Sequence, residues 1–426
     1  MALNYIWIAF FIIAFLVALF RLIGFYFRDF FADSLGIIFD KADAEVFSKI
    51  IQSIFDMAET SVTISIYLIG IMTLWLGIMK IGERGGAINL FSRAFSPFFK
   101  KLFPEIPDNH PAMGSMVMNF AANMLGLDNA ATPLGLKAMN ELQSFNNKKD
   151  TASNAQIMFL VLNTSGLTIV PISVLALRAA AGAENPADVF VPILLATYFA
   201  TIIGLVTVAI RQKINLLNKV VLAYLGGISL FVAGTILYIT NLDPEKISMV
   251  SSLAGNFILF AIIIFFLFLG IRKNINLYET FIEGAKDGFK IAIQIIPYLV
   301  AMLVAIGIFR ASGAMELLIG GIKSLVNLIG FNTDFVDALP TAIMKPLSGS
   351  GARGMMVETM STFGPDSFVA KLAATFQGST ETTFYTIAVY YGAVNIKKTR
   401  YTVTAGLIAD FAGIIAAIFI AYLFFH

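Results

Sequence analysis

Eight stretches of this chain, alone or with their flanks, are apolar for long enough to cross a bilayer: 6–20, 61–79, 154–177, 189–210, 220–242, 247–271, 291–309 and 401–425. A span needs roughly 18 or more residues with few charges. Several such runs in one chain leave few folds open, because backbone N–H and C=O groups in lipid must find partners inside the protein. A bundle of helices meets that demand. The expected class is therefore all-α, a polytopic membrane protein. Composition agrees: 58% of the 426 residues are hydrophobic and 13% are charged, against roughly 25% charged in soluble domains. The first run lacks a basic leader and a small-residue cleavage site, so it reads as a retained helix.

The same numbers exclude several functions. Net charge is +2, which argues against a nucleic-acid partner. No cysteine and two histidines are present, which removes thiol catalysis, disulfides and histidine-rich metal sites. With no nucleophile–base constellation at membrane depth, the chain does not read as an enzyme. The expected partners are lipid and a small-molecule solute, and a homo-oligomer is compatible with the sequence.

Charges at "RQKINLLNK" (211–219) mark a seam between two halves. Segment 55–86 aligns with 282–313 on Ala58 and Ala285, with Asp56 and Glu283 two places earlier. Each segment runs from an amphipathic start into an apolar span that ends in glycine. The resulting division is 1–212, a linking pair of spans in 213–272, and 273–426. Stretches 25–55, 90–103 and 314–329 mix charge with Phe, Ile and Leu at helical spacing and read as interfacial amphipathic helices.

Four polar segments interrupt the apolar pattern: 118–139, 162–171, 340–360 and 375–385. They correspond in pairs, the first with the third and the second with the fourth. "GLDNAATP" and "SGSGARG" favour breaking a helix and turning back. Positions 129–132 and 350–353 then start returning helices, with Pro133 just inside the first. Irregular backbone at membrane depth is tolerated where it is buried in protein or lines a wet cavity. The expectation is a pair of re-entrant hairpins and a pair of interrupted helices around a solute. Asn119, Asn123, Asn129 and Thr132 would face Ser348, Ser350 and Arg353. Asn163, Thr164 and Ser165, with Gln377, Ser379, Thr380, Glu381 and Thr383, would complete the site. Glu381 is the carboxylate expected to meet solute or proton, and backbone carbonyls with Glu381 could hold Na⁺ or H⁺ as coupling ion. No cofactor is expected. Asp410 reads as a packed or paired carboxylate, His110 as a helix cap or interface residue, and Lys137 with Glu141 as a solvated helix end.

The motifs carry a resemblance. "HPAMGSMVMNFAANMLGLDNAATPLGLKAMNELQ" and "LNTSGLTIVPISVLALRAAAGAENPADV" look like spore maturation protein A. "LYETFIEGAKDGFKIAIQIIPYLVAMLVAIGIFRASGAM", "MKPLSGSGARG" and "FGPDSFVAKLAATFQGSTETTFYTIAVYYG" look like spore maturation protein B. Both belong to the nucleoside-recognition or gate group, distantly like concentrative nucleoside transporters. The resemblance implies a multi-pass protein of the bacterial inner membrane that transports or gates, with hairpins that could move as an elevator. "FQGSTETT" is similar to the base-reading motif of nucleoside transporters, but Gly378 and Ser379 separate Gln377 from Thr380. The solute therefore stays open between nucleoside-like and amino-acid-like. A gated channel and a membrane scaffold are the alternative functions.

Overall fold

The computed structural model describes residues 2–107 and 110–426, apart from the side chains at positions 2, 128, 129, 244, 245 and 248. Among these residues the secondary structure is helical throughout, save a lone bridge between Thr151 and Lys398. The first half holds α1 (Ala2–Tyr26), the short α2 (Arg28–Leu35) and α3 (Lys41–Ala44), α4 (Val46–Gly85), α5 (Ala87–Leu102), α6 (Pro111–Met124), α7 (Asp128–Ser144), α8 (Asn154–Thr164), α9 (Ile172–Ala180) and α10 (Phe190–Gln212). Two linking helices follow, α11 (Lys219–Thr240) and α12 (Pro244–Arg272). The second half holds α13 (Leu277–Ala311), α14 (Ala314–Leu328), α15 (Leu339–Leu347), α16 (Gly349–Phe363), α17 (Phe368–Ser379), α18 (Thr383–Ala393) and α19 (Thr402–Phe425). From α4 to α10 and from α13 to α19 the order is the same: a very long helix, an amphipathic one, two short helices joined by a tight turn, two further short pieces separated by a break, and a span.

Among the described residues, seven helices are long and apolar enough to cross a membrane: α1, α4, α10, α11, α12, α13 and α19. The run 154–177 is not one continuous span: it breaks within the polar segment 162–171. A Ser153–Gln156 capping box starts α8, which ends at Thr164, and α9 resumes only after Pro171. The intervening Ser165 and Gly166 favour turns, and proline has no N–H to continue a helical ladder. α4 has 40 residues and rises about 60 Å, twice the roughly 30 Å hydrocarbon core.

α4 and α13 are the central pair. A Cβ on Gly284 or Gly288 would lie 2.4 Å from the carbonyl oxygen of Leu76 or Met72, respectively. Gly307 packs on Met57 and Ser53. Contacts that fall along α4 as they rise along α13 make the pair antiparallel. α10 and α19 pack the same way, with Gly204 against Ala409 and Gly413 against Ala200. Small residues at these crossings let backbones approach, which is what drives helix association in lipid. α1 leans on α13 through Trp7 Nε1–H to the Ala301 carbonyl (2.9 Å) and Arg21 Nη1–H to the Ser312 carbonyl (3.0 Å), and Arg21 also pairs with Asp43 of α3 (2.6 Å). α12 turns Phe257, Phe260 and Phe268 outward, as lipid contact requires. α5 is amphipathic as read, with Phe98, Phe99 and Leu102 buried against the protein.

Candidate functional site: two helix breaks and a cavity at the hairpin tips

Each pair of short helices closes on itself with its own side chains. Between α6 and α7 the turn runs through Gly126 at φ 69°, a left-handed position that suits glycine. Asn119 Nδ2 donates to the Ala131 carbonyl (2.8 Å), tying the two arms together. Asn123 Nδ2 donates to Asn163 Oδ1 (2.8 Å), tying the arms to α8. Between α15 and α16, Ser348 caps the returning helix by accepting from Gly351 N–H (3.0 Å), and it meets Ser350 Oγ at 3.2 Å. Arg353 Nε–H donates to the Gly349 carbonyl (3.2 Å). His110 caps α6 as read from the sequence, accepting from Ala112 N–H (3.2 Å).

The two interrupted helices meet at their breaks. Glu381 N–H donates to the Thr164 carbonyl (2.7 Å). Thr201 Oγ1 donates to the Ser165 carbonyl (2.8 Å), and Thr383 Oγ1 donates to Asp410 Oδ2 (2.7 Å). Asn163, Thr164, Ser165, Gln377, Ser379, Thr380 and Thr383 are all 5% exposed or less. Among the described residues, Gln377 Oε1 and Asp410 Oδ1 are buried here without a well-formed hydrogen bond. Such orphans are rare in a packed interior and mark a place where an ion, water or proton could bind.

Glu381 does not join this cluster through its side chain. Thr380 has extended backbone (φ −146°, ψ 172°) and Thr382 is extended too. Successive side chains in extended chain point to opposite sides, so Thr380 and Thr382 are buried while Glu381 is exposed. Thr132 is exposed as well. Asn129 lies outside the residues whose side chains are described.

A cavity of about 300 Å³ opens between α4 and α13 on one side and both hairpin turns on the other. Gly126, Leu127 and Ala130 reach it from the first hairpin, Ser350 and Arg353 from the second. Leu76 and Ile291 represent its apolar walls. Of the residues singled out in the sequence, Ser350 and Arg353 line this cavity; the hydroxyl-rich crossing of the helix breaks does not. Sequence reading missed the α4 and α13 wall with Lys80, Glu83 and Asp287. The signal was present as charges at helical spacing in the two aligned segments, 55–86 and 282–313. Lys80 pairs with Glu83 at 3.2 Å, and Arg84 with Glu283 at 2.6 Å, at one rim. Arg353 and Asp287 are in no ion pair among the described residues. Glu358 is paired with Arg310 of α13, so that buried charge is structural.

Loops of one half pin loops of the other. Arg178, fully buried at the end of α9, donates to the Pro365 carbonyl (2.7 Å) and pairs with Asp188 (3.0 Å) and Asp366 (3.3 Å). Lys371 completes the group on Asp188 at 2.9 Å. At the other clamp, Arg400 donates to the Ala152 carbonyl and Asn154 Oδ1, and Lys398 pairs with Asp150 at 3.1 Å. The Thr151 hydroxyl and then Lys398 hold the Asp150 carboxyl below its ordinary range.

Residues 65–181 and 292–397 match the family described as Gate, nucleoside recognition, and together make up more than half of the chain. The chain belongs to the nucleoside-recognition Gate family. Each Gate segment contains one hairpin and one interrupted helix, and each contributes a hairpin turn and part of a long helix to the cavity lining. Spore maturation protein A of Bacillus subtilis (strain 168) is 41% identical over 168 residues, 39% of this chain and 85% of that protein. Spore maturation protein B of the same organism is 46% identical over 156 residues, 37% of this chain and 86% of that protein. The chain therefore has the make-up of a fusion of these two Gate proteins, as its motifs implied. No solved structure matches it.

Proposed function

We propose that this Gate protein is a transporter of a small organic solute, held in the cavity between the α4–α13 pair and the two hairpin turns. The observation that carries this is the convergence of both turns, one from each half, on one cavity. The antiparallel pairing of α4 with α13, and of α10 with α19, supports reading the halves as inverted repeats, with the hairpins re-entrant from opposite faces of a bacterial inner membrane. Substrate sites at the interface of such repeats are common in secondary transporters. Two spans, α11 and α12, bring the chain into α13 in the sense opposite to α4.

The lining favours the amino-acid-like solute over the nucleoside-like one. Apolar walls suit an aliphatic side chain. Arg353 supplies a cation for a carboxylate, and Asp287 an anion for an ammonium group. A neutral nucleoside would use neither charge. The test is thermal unfolding of the purified protein with aliphatic amino acids, dipeptides and nucleosides. A zwitterion at 100 times its Kd stabilises by about 2.7 kcal/mol and should raise the midpoint visibly, with saturable uptake into vesicles. Stabilisation by nucleosides alone would reverse the solute class. Steady unitary currents across a bilayer, with no stabilising ligand, would replace the carrier by a channel.

A further inference from the structure

We propose that Asp410 is a proton-binding site whose occupancy controls how tightly the second hairpin is held to the last span. Asp410 lies on α19 and is 2% exposed. An ionisable group at membrane depth is costly and is retained where it is paired or functional. Thr383 satisfies Oδ2; Oδ1 is buried without a well-formed hydrogen bond, the Thr380 hydroxyl being the other polar group beside the carboxylate. The surroundings favour positive charge. α8 ends at Thr164 and α17 at Ser379; Gly406 and Gly413, on either side of Asp410, pack against Thr164 with Thr383 and against Ser379 with Thr380. Helix C-terminal ends carry partial negative charge, so two of them converge on a buried carboxylate.

The neighbouring charges decide which cation fits. Lys345 of α15 is buried, and α15 packs against α19, the helix of Asp410, so an ammonium stands among the charges around that carboxylate. A metal ion beside that ammonium would meet like charge as well as too few free oxygens. A proton needs only Oδ1. Other elements packed on α19 do not compete: α8 carries no titratable side chain. On α17, Lys371 faces Asp188 and the Phe425 ring. Tyr391 of α18 bonds Thr402, Tyr198 of α10 bonds Ser229, and Tyr224 of α11 bonds the Ala94 carbonyl. Arg272 is in the last turn of α12, and Glu381 at the break is exposed.

The step is a simple protonation. The Asp410 carboxylate takes one proton on Oδ1 and becomes a neutral carboxyl, while the Thr383 hydroxyl continues to donate to Oδ2. The attraction between Lys345 and Asp410 then falls. α15 packs on α17, α18 and α19, and Lys345 lies in its last turn, so the loss is felt at the hairpin tip that carries Ser350 and Arg353. Binding of the proton stands on this geometry alone; its use to drive a solute rests on the transporter reading.

The test is an infrared pH titration of the purified full-length protein, following the carboxylic-acid C=O band. Wild type should show a protonated carboxyl that Asp410→Asn removes. Lys345→Gln removes a charge that favours the carboxylate, so the band should persist to higher pH, by about one unit, which is tenfold in proton affinity. The second variant keeps the test decisive if Asp410→Asn does not fold. A band unchanged in Asp410→Asn, a midpoint unmoved in Lys345→Gln, or a band removed by added Na⁺ at constant pH would each overturn the proposal. The readout needs no solute, so it stays informative if the ligand panel fails.

Discussion

Replacing Arg178 by Ala is expected to cost about 3–5 kcal/mol of stability, the range seen when one partner of a buried ion pair is removed. The guanidinium is completely buried and holds together α9, the turn at Asp188 and the loop between α16 and α17. Its loss leaves the Pro365 carbonyl without this donor and Asp366 without this cation. Lys371 remains on Asp188, which keeps the cost from rising further. A void the size of the arginine stem adds to it. Thermal and denaturant unfolding in one detergent would measure the change. Arg178→Lys restores charge without the two-pronged geometry and should recover part of the loss. A shift under about 1 kcal/mol for Arg178→Ala would place this clamp among ordinary surface ion pairs and contradict its role in joining the halves.

The second large effect concerns the solute. Arg353→Gln should weaken binding of a carboxylate-bearing zwitterion by roughly 10- to 100-fold, the value of a hydrogen bond to a charged group at about 1.5–3 kcal/mol. The same variant should bind the corresponding amide, which lacks the carboxylate charge, nearly as well as wild type does. Asp287→Asn should show the mirror behaviour, losing discrimination against analogues without an ammonium group. Paired measurements by isothermal titration separate the two ends of the molecule. If both variants bind acid and amide alike and match wild type, the two charges do not read the solute.

Much of the fold could be read from local chemistry. Apolar runs locate the spans, and "GLDN" and "SGSG" locate the hairpin turns, because glycine and helix-capping side chains act within a few residues. Ser165 and Pro171 together show that 154–177 is not continuous, yet its mean hydropathy resembles that of a span. The direction of Glu381 was not legible. It depends on the extended backbone at Thr380, which alternates side chains and sends the carboxylate outward, and composition does not reveal that phase. The α4–α13 wall was hidden for another reason. Its contacts join Met72 to Gly288 and Leu76 to Gly284, more than 200 residues apart, and no periodicity within either helix specifies which helix it faces. The sequence shows a carboxylate at Asp410 that must be packed or paired, and it accepts from Thr383; that its second oxygen is buried without a well-formed hydrogen bond emerges only from the crossing of two breaks.

The absence of cysteine allows the most direct test. Ser350→Cys places a lone thiol at the second hairpin turn, where the cavity lies, and Phe268→Cys places one on the outward face of α12. The account predicts that a charged, membrane-impermeant thiol reagent labels position 350, that bound solute slows this reaction, and that position 268 stays unlabelled in lipid. Position 350 as unreactive as position 268, with solute making no difference, would contradict a water-filled chamber at the hairpin turns.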